Sequence, residues 1–483
     1  MTEERRKFLD TVGHRIYDGW VRGRSNEWVR ISYLGAAREV GRSALLLQTP
    51  ESRILLDCGI NVAANGPDAY PILEAPEFDI NELDAVIVSH AHIDHIGLVP
   101  FLFKMGYKGP VYCTPPTRDV SALSQIDVVK IAHSEGKEPP YDMEDIKTAV
   151  KNTIVLDYEE VSDITPDVRL TLYNAGHILG SAMVHLHVGN GLHNMLYSGD
   201  INYTPTLLLD PASTQFPRLE TLMVEATYGS KLSVQEPEKE ADEKLAELVQ
   251  QTVERGGKIL MPVLGVGRAQ SVLVLVDQLM KAKKMKDIPV YIDGMVWEIT
   301  AIHTAYPEYM NASMRKKLMN RDTNPFLNPN FKRVGSSKER KQIIDDEGPC
   351  VIIATSGMLT GGASVEYFKG LAENEKNLLV FSSYQGEGSL GRRVQRGDKE
   401  ISFAAGQRQE IMKINMEIAK ISISGHADRK GLMNFVSRCE PRPRKVVINH
   451  GEPMSCLDLA SSIHKEFHIE TVAPKNLDCL RLR

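Results

Sequence analysis

The feature that most limits how this chain can fold is a group of metal-ligand side chains at the end of an apolar run. Val86–Val88 is a short apolar segment, and residues 90–95 then read His-Ala-His-Ile-Asp-His. In an extended backbone His90 and His92 leave on the same face, and a loop can turn the next two donors back toward them. We therefore expect Val86–Val88 to be a buried strand that ends at a metal site.

The donor types indicate zinc. Four nitrogen or oxygen donors within six residues fit two zinc ions better than one. The alternative is a histidine-rich surface loop, which this dense spacing makes the weaker interpretation. Structural zinc sites more often use cysteine pairs, and none of the six cysteines lies in a C-x-x-C spacing. Scattered cysteines of this kind fit a reducing cytoplasm.

The composition is that of a soluble globular protein with room for two or three domains. The 483 residues are 42% hydrophobic and 25% charged. The net charge of -6 gives no general attraction for nucleic acid, although a cleft can be locally positive. The N-terminus has no signal-like apolar core, and the longest stretch without Asp, Glu, Lys or Arg, 170–199, contains four histidines. We expect a cytoplasmic protein without a membrane span.

Several other predicted strands also end in side chains that bind metals or move protons. In chain order these end residues are Asp57, His177, Asp200, Glu225, His426 and His450. The predicted strands around them are 28–34, 43–48, 53–57, 169–173, 181–188, 194–198, 219–226, 418–422 and 445–448, and residues 98–150 are predicted to be mostly helical. Polar residues at the ends of buried strands predict an α/β sandwich with its site along one edge.

The middle of the chain has a different pattern. An acidic helix at 236–255 and an apolar helix at 269–280 alternate with strands at 258–263, 288–292, 351–354 and 378–382. Such alternation is typical of parallel βαβ units. We predict one metal domain split by a Rossmann-like insertion. The expected parts are an N-terminal tail or linker at 1–27, a first metal-domain part at 28–228, the insertion at 229–415 and a second metal-domain part at 416–483.

The ligand-type residues resemble known family motifs. Asp57, the 90–95 run, His177 in Ala-Gly-His and Asp200 in Ser-Gly-Asp resemble, in order, the four motifs of the metallo-β-lactamase fold. That resemblance alone leaves β-lactam, thioester and phosphoester hydrolysis open. It implies an αββα sandwich, which the insertion would split.

Three later motifs narrow the resemblance to the β-CASP branch, which processes nucleic acid. Glu225 in V-E-A-T-Y-G, His426 in S-G-H-A-D and His450 in N-H-G are similar to its motifs A, B and C. In that branch a histidine in the third motif accompanies RNA enzymes, whereas DNA enzymes usually carry valine. The insertion is thereby identified as a β-CASP domain.

The resemblance also implies the site residues. The ligands implied for one zinc ion are His90, His92, His177 and Asp200, and those implied for the other are Asp94, His95, Asp200 and His450. The implied catalytic residues are His426 as proton donor, Glu225 as its orienting partner, Asp57 as support for the ligand loop, and Asp94. For Asp57 a plain strand-end turn remains an alternative.

Three glycine-containing loops of the insertion, at 265–270, 355–362 and 384–393, are candidates for RNA contact. Plain strand-to-helix turns are the alternative interpretation. The loops resemble those that face the cleft in β-CASP ribonucleases. We therefore predict RNA contacts for Arg268, Ser356, Gln385 and Arg392.

The nearest resemblance is to the archaeal group related to the cleavage and polyadenylation specificity factor. It rests on R-E-V-G-R-S at 38–43 and L-D-C-G-I-N-V at 56–62. Members commonly carry N-terminal KH domains, which we expect this chain to lack. The group implies a zinc-dependent endonuclease that cuts single-stranded RNA by a two-metal mechanism in RNA 3′-end processing or transcription termination. Expected partners are RNA, a second copy through the C-terminal region, and RNA polymerase or other processing factors.

Other functions stay open at this point. A 5′-to-3′ exoribonuclease of the RNase J type uses the same metal centre. An inactive RNA-binding scaffold would be expected to have lost ligands, and none is missing here. A hydrolase of small thioesters or lactams is disfavoured by the long insertion and by His450.

Overall fold

The computed structural model describes residues 7–14, 27–134, 136–233, 238–382, 385–386, 388–405, 408–421 and 425–483. The chain divides into two compact units. The first, here called the split unit, comprises residues 1–234 and 425–483, and the second, the inserted unit, comprises residues 235–424. Most of the predicted tail at 1–27, Tyr384 of the third predicted loop and residues 422–424 before His426 lie outside the described residues.

In chain order the strands are β1 (Arg30–Tyr33), β2 (Leu45–Gln48), β3 (Arg53–Leu56), β4 (Ala85–Ile87), β5 (Val111–Cys113), β6 (Thr153–Val155), β7 (Val161–Thr165), β8 (Val168–Asn174), β9 (Ala182–Val188), β10 (His193–Tyr197), β11 (Thr221–Glu225), β12 (Ile259–Pro262), β13 (Val290–Asp293), β14 (Phe331–Arg333), β15 (Val351–Ala354), β16 (Leu378–Phe381), β17 (Glu400–Ala405), β18 (Arg408–Lys413), β19 (Glu417–Lys420), β20 (Lys445–Asn449), β21 (Glu470–Val472) and β22 (Cys479–Arg481).

The helices are α1 (residues 7–14), α2 (Ile93–Ile96), α3 (Val99–Lys104), α4 (Pro115–Ser134), α5 (Met143–Lys151), α6 (Glu238–Glu254), α7 (Arg268–Lys281), α8 (Val296–Ala305), α9 (Ala312–Leu318), α10 (Ser337–Asp345), α11 (Ala363–Leu371), α12 (Leu390–Gln395), α13 (Arg429–Arg438) and α14 (Pro453–Phe467). Short 3-10 helices lie at Gly66–Ala69, Ile80–Glu82, Pro307–Tyr309 and Pro325–Leu327.

Two sheets form the centre of the split unit. Over its described residues each sheet has seven strands, in the orders β22-β1-β2-β3-β4-β5-β6 and β21-β20-β11-β10-β9-β8-β7. The strands β3 to β6 are parallel, as are β10, β11, β20 and β21. In the second sheet Glu225 pairs with Asn449, so residues far apart in sequence meet at one edge.

Alternation of apolar side chains explains why the two sheets stack. On β9, Val184 and Leu186 face a core that they share with Ile54 of the first sheet, whereas Met183 points to the other face. That outer face is covered by α13 and α14, and a separate core with Leu102 of α3 covers the first sheet. Strands that are apolar on both faces thus build the predicted αββα sandwich.

The inserted unit is an α/β domain around a parallel sheet. Its described strands pair in the order β14-β13-β15-β12-β16-β19, and every pairing is parallel. β12, β15 and β16 are buried along their whole length, as expected for strands with helices on both faces. A two-stranded antiparallel hairpin, β17–β18, stands apart from this sheet.

Two details differ from the sequence interpretation. The short strand β5 interrupts the predicted helical region 98–150, because three buried residues between helices give too little periodicity to be recognised. The strand predicted at 418–422 was assigned to the second metal-domain part beginning at 416, and that assignment is wrong. β19 instead pairs with β16 of the inserted unit, so the return to the split unit comes after Lys420.

In the part of the chain that the structure describes, no helix is both long and apolar enough to cross a membrane.

Candidate metal centre

The predicted ligands meet at neighbouring ends of strands in the split unit. β4 ends just before His90, and α2 then carries Asp94 and His95. β8, β10 and β20 end before His177, Asp200 and His450, respectively. β4 belongs to one of the two stacked sheets, and β8, β10 and β20 are alternate strands of the other, with β9 and β11 between them. Residues from four chain segments thereby reach one point.

One donor set contains His90, His92, His177 and Asp200, whose ligand atoms all lie within 4.8 Å of one another. His92 Nδ1 is 3.2 Å from His90 Nε2 and 3.0 Å from His177 Nε2. His90 Nδ1 lies 3.0 Å from Ser89 Oγ, and His177 Nδ1 lies 2.6 Å from Gly425 O. With the Nδ1 protons engaged there, the Nε2 lone pairs face the shared point, as metal-binding histidines require.

The second donor set contains Asp94, His95, Asp200 and His450, and its ligand atoms also lie within 4.8 Å of one another. Asp200 Oδ2 is 3.5 Å from both His90 Nε2 and His95 Nε2, and Asp200 Oδ1 is 3.0 Å from His450 Nδ1. One carboxylate therefore faces both sets, which is the position of a bridging ligand.

The electrostatics of the centre fit a bound cation. Burial lowers the pKa of His90 and His177, which keeps these imidazoles neutral and able to coordinate. Burial also acts to lower the pKa of His95, but the carboxylates of Asp200, Asp94 and Asp57 outweigh it and raise the pKa to about 10. These carboxylates favour a buried positive charge beside His95, which a divalent ion would supply in place of protons.

Asp57 accepts four hydrogen bonds beside the predicted ligands. It is fully buried and its Oδ1 accepts from Ser89 N at 2.7 Å. Its Oδ2 accepts from Ser89 Oγ at 2.8 Å, from His95 Nδ1 at 2.7 Å and from Tyr197 OH at 2.8 Å. Asp57 has a φ of 58°, the left-handed region, which turns the chain at the end of β3. These contacts fix the orientation of His95.

His426 and Glu225 form a pair next to the two sets. His426 Nδ1 lies 3.0 and 3.1 Å from the two Glu225 carboxylate oxygens and 3.9 Å from Asp200 Oδ2. Glu225 is fully buried and also accepts from Ile201 N at 2.8 Å. Glu225 thus fixes the His426 ring, whose side chain is 15% exposed, beside the predicted metal-ligand atoms.

The four predicted RNA-contact residues lie in the inserted unit. Arg268 begins α7 and is 9% exposed, and Gln385 is buried and donates from Nε2 to Gly357 O at 2.9 Å. Ser356 Oγ donates to Gly361 O at 3.1 Å, and Arg392 lies in α12. In this structure Gln385 and Ser356 stabilise a loop, and RNA contact by all four residues stays a prediction.

Two residues of the site were missed by the sequence interpretation. Ser89 and Tyr197 both donate to Asp57, and Ser89 also touches the ring of His90. The position of Ser89 directly before His90 was an available signal. Nothing local marks Tyr197, which is the last residue of β10 and follows Met195 and Leu196.

The fold and the paired donor sets define a metal-dependent hydrolase of the metallo-β-lactamase type with an inserted α/β domain. Comparison with family descriptions agrees with this class. Residues 46–226 match the metallo-beta-lactamase superfamily domain, residues 269–394 match the Beta-Casp domain, and residues 411–474 match the Zn-dependent metallo-hydrolase RNA specificity domain. RNA is accordingly a partner of this class, and a metal is its cofactor.

Similar proteins specify the family further. "Transcription termination factor FttA" of Thermococcus kodakarensis is 52% identical over an alignment of 495 positions. The alignment covers 100% of this chain and 75% of the relative. The protein of the same name from Methanocaldococcus jannaschii is 52% identical over 99% of this chain and 76% of that relative. The one from Lokiarchaeum sp. is 45% identical over 100% of this chain and 75% of that relative. The chain belongs to this archaeal family of β-CASP metallo-hydrolases, which confirms the predicted family and fold.

A solved structure resembles most of the chain more distantly. The crystal structure of a protein of unknown function from Enterococcus faecalis V583 has a TM-score of 0.55 at 14% sequence identity. The match covers 94% of this chain and 100% of that chain. At this identity the likeness concerns the fold alone.

Proposed function

We propose that the protein is a zinc-dependent ribonuclease that cleaves single-stranded RNA endonucleolytically by a two-metal hydrolytic mechanism. The observation that carries the proposal is Asp200, whose two oxygens face two complete donor sets, with His426 beside both. The ligand sets given above would hold two zinc ions. Imidazole and carboxylate donors without cysteine suit zinc in a catalytic role.

The residues of the chain divide the chemistry between them. When bound, two ions in such a centre activate water and stabilise the charge that develops on phosphate during in-line displacement. His426 lies outside both four-residue sets, although it forms a third donor cluster with Asp200 and Glu225. In this proposal its role is to protonate the leaving 3′ oxygen. Glu225 accepts from His426 Nδ1, which orients the ring. The products are a 5′-phosphate and a 3′-hydroxyl.

The biological role follows the relatives. Because the similar proteins are named transcription termination factors, we infer that this chain cuts nascent RNA in termination. Contact with RNA polymerase and a homodimer through the C-terminal region belong to the same proposal. Complete ligand sets argue against an inactive scaffold.

The test uses the zinc-loaded protein and one RNA labelled at either the 5′ or the 3′ end. Internal fragments appearing early with both labels are expected. Immediate release of mononucleotides from the 5′ end would instead identify an exonuclease. Cleavage that survives in His92→Ala, or a purified protein that binds no zinc, would contradict the two-metal mechanism. DNA of the same sequence serves as the substrate control.

A further inference from the structure

Two buried threonines touch the loop that carries His177, although neither belongs to a donor set. Thr114 precedes α4 and Thr117 lies in its first turn, and both are 0% exposed. Their Oγ1 atoms lie 2.7 and 3.0 Å from the backbone oxygen of Gly180 and 2.9 Å from each other. The N-terminal end of α4 thus holds the carbonyl of a loop from another part of the sheet edge.

The loop at 175–181 is built to rest on these threonines. Gly180 has a φ of 74°, and a Cβ there would lie 2.7 Å from Thr114 Oγ1, so only glycine allows the close approach. Ser181 Oγ accepts from His177 N at 3.1 Å and from Ile178 N at 3.2 Å. Because this short turn is internally hydrogen-bonded, a movement of Gly180 O would also move His177.

His177 is the only member of either donor set on this loop. Its Nδ1 donates to Gly425 O at 2.6 Å, and its Nε2 lies 3.0 Å from His92 Nδ1. The second donor set draws its residues from α2 and from the ends of β10 and β20. A shift of the loop at 175–181 would hence move a ligand of the first set and none of the second.

We propose that Thr114 and Thr117 are positioning residues that set His177 for metal binding and thereby control the affinity of one ion of the pair. The inference rests on the proposed two-metal centre. Without the two hydroxyls Gly180 O would be a buried carbonyl with fewer donors, and the turn would relax away from α4. Partners of this kind around a metal ligand typically change metal affinity by about 10- to 100-fold.

The experiment compares zinc binding of the wild type and of the isosteric double variant Thr114→Val/Thr117→Val by chelator competition. Absorption of the cobalt-substituted proteins supplies a second readout of ligand geometry. We expect one of the two ions to bind about 10- to 100-fold more weakly, with the other unchanged. Thr117→Ser, which keeps a hydroxyl, should bind both ions as the wild type does.

Thr252→Val is the matched control, because Thr252 is also buried and its hydroxyl donates to a backbone oxygen, Leu248 O, at 2.8 Å in α6. Equal weakening of both ions, or wild-type affinity for both, would overturn the inference. If the double variant does not fold, Thr114→Val alone decides by the same criterion. A wild type that binds fewer than two ions would contradict the proposed function itself.

Discussion

Replacing Asp57 by asparagine tests how the metal centre is assembled. The change keeps the size of the side chain but leaves one acceptor oxygen in place of two. If that oxygen keeps its bond from Ser89 N, the new amide group faces His95 Nδ1, and two donors then oppose each other. His95 must move or shift its proton to Nε2, where it blocks coordination.

The magnitude follows from the lost bond. A hydrogen bond to a charged group contributes about 1.5–3 kcal/mol, which corresponds to roughly 10- to 150-fold in affinity. We therefore expect Asp57→Asn to weaken zinc binding by about that factor. Ser89 and Tyr197 lose less, because a hydroxyl can rotate to accept from the amide.

The assay is chelator competition together with thermal unfolding of the metal-free proteins. Asp167→Asn is the control, since Asp167 is buried in the same unit and bonds Thr165 Oγ1 at 3.3 Å, outside the donor sets. Zinc affinity equal to that of the wild type in Asp57→Asn would refute the reasoning. A loss of zinc affinity in Asp167→Asn equal to that in Asp57→Asn would also refute it.

Three further predictions address other parts of the molecule. His426→Ala should keep its zinc but lose about 10²-fold or more in cleavage rate, with Glu225→Gln affected less; loss of zinc from His426→Ala would make it a ligand. Removal of zinc should abolish cleavage and lower the free energy of unfolding by about 2.7 kcal/mol per site, relative to the protein at a hundredfold excess of zinc over Kd. Calorimetry should show this loss as a lower unfolding temperature, and added zinc should restore both cleavage and stability. Burial lowers the pKa of His303 in α8 to about 4, so protonation favours the unfolded chain and stability falls as the pH drops below the ordinary value of about 6.5. Urea unfolding should show that the free energy of unfolding of the wild type falls by about 2 kcal/mol between pH 7 and pH 5, and that it falls less in His303→Leu. The same pH dependence in both proteins would contradict this role of His303.

The sequence was most informative where the chemistry is local. The spacing of residues 90–95 predicts a metal site without any relative, because the ligands sit within one strand end and one short helix. His177, Asp200 and His450 needed the family resemblance, since only the stacking of two sheets brings them to that point. Sequence separation carries no distance information for such residues.

Other features were beyond the sequence for different reasons. Tyr197, Thr114 and Thr117 act through hydrogen bonds to a carboxylate or a backbone oxygen, and such partners leave no periodic pattern. The assignment of β19 failed because its four residues, Glu-Ile-Ala-Lys, carry no pattern that specifies one sheet. Which sheet a strand joins depends on its neighbours, here β16, and not on its own residues.

The pairing of β11 with β20 bears on how the split unit is held together. β11 precedes the inserted unit and β20 follows it, yet the two are hydrogen-bonded neighbours along five residue pairs. The peptide chain that runs through the insertion is therefore not what keeps the two parts of the split unit associated. A backbone cut within the insertion would leave two fragments joined by a sheet, a shared core and a common set of predicted metal ligands, which makes the protein suited to reconstitution from separately produced halves.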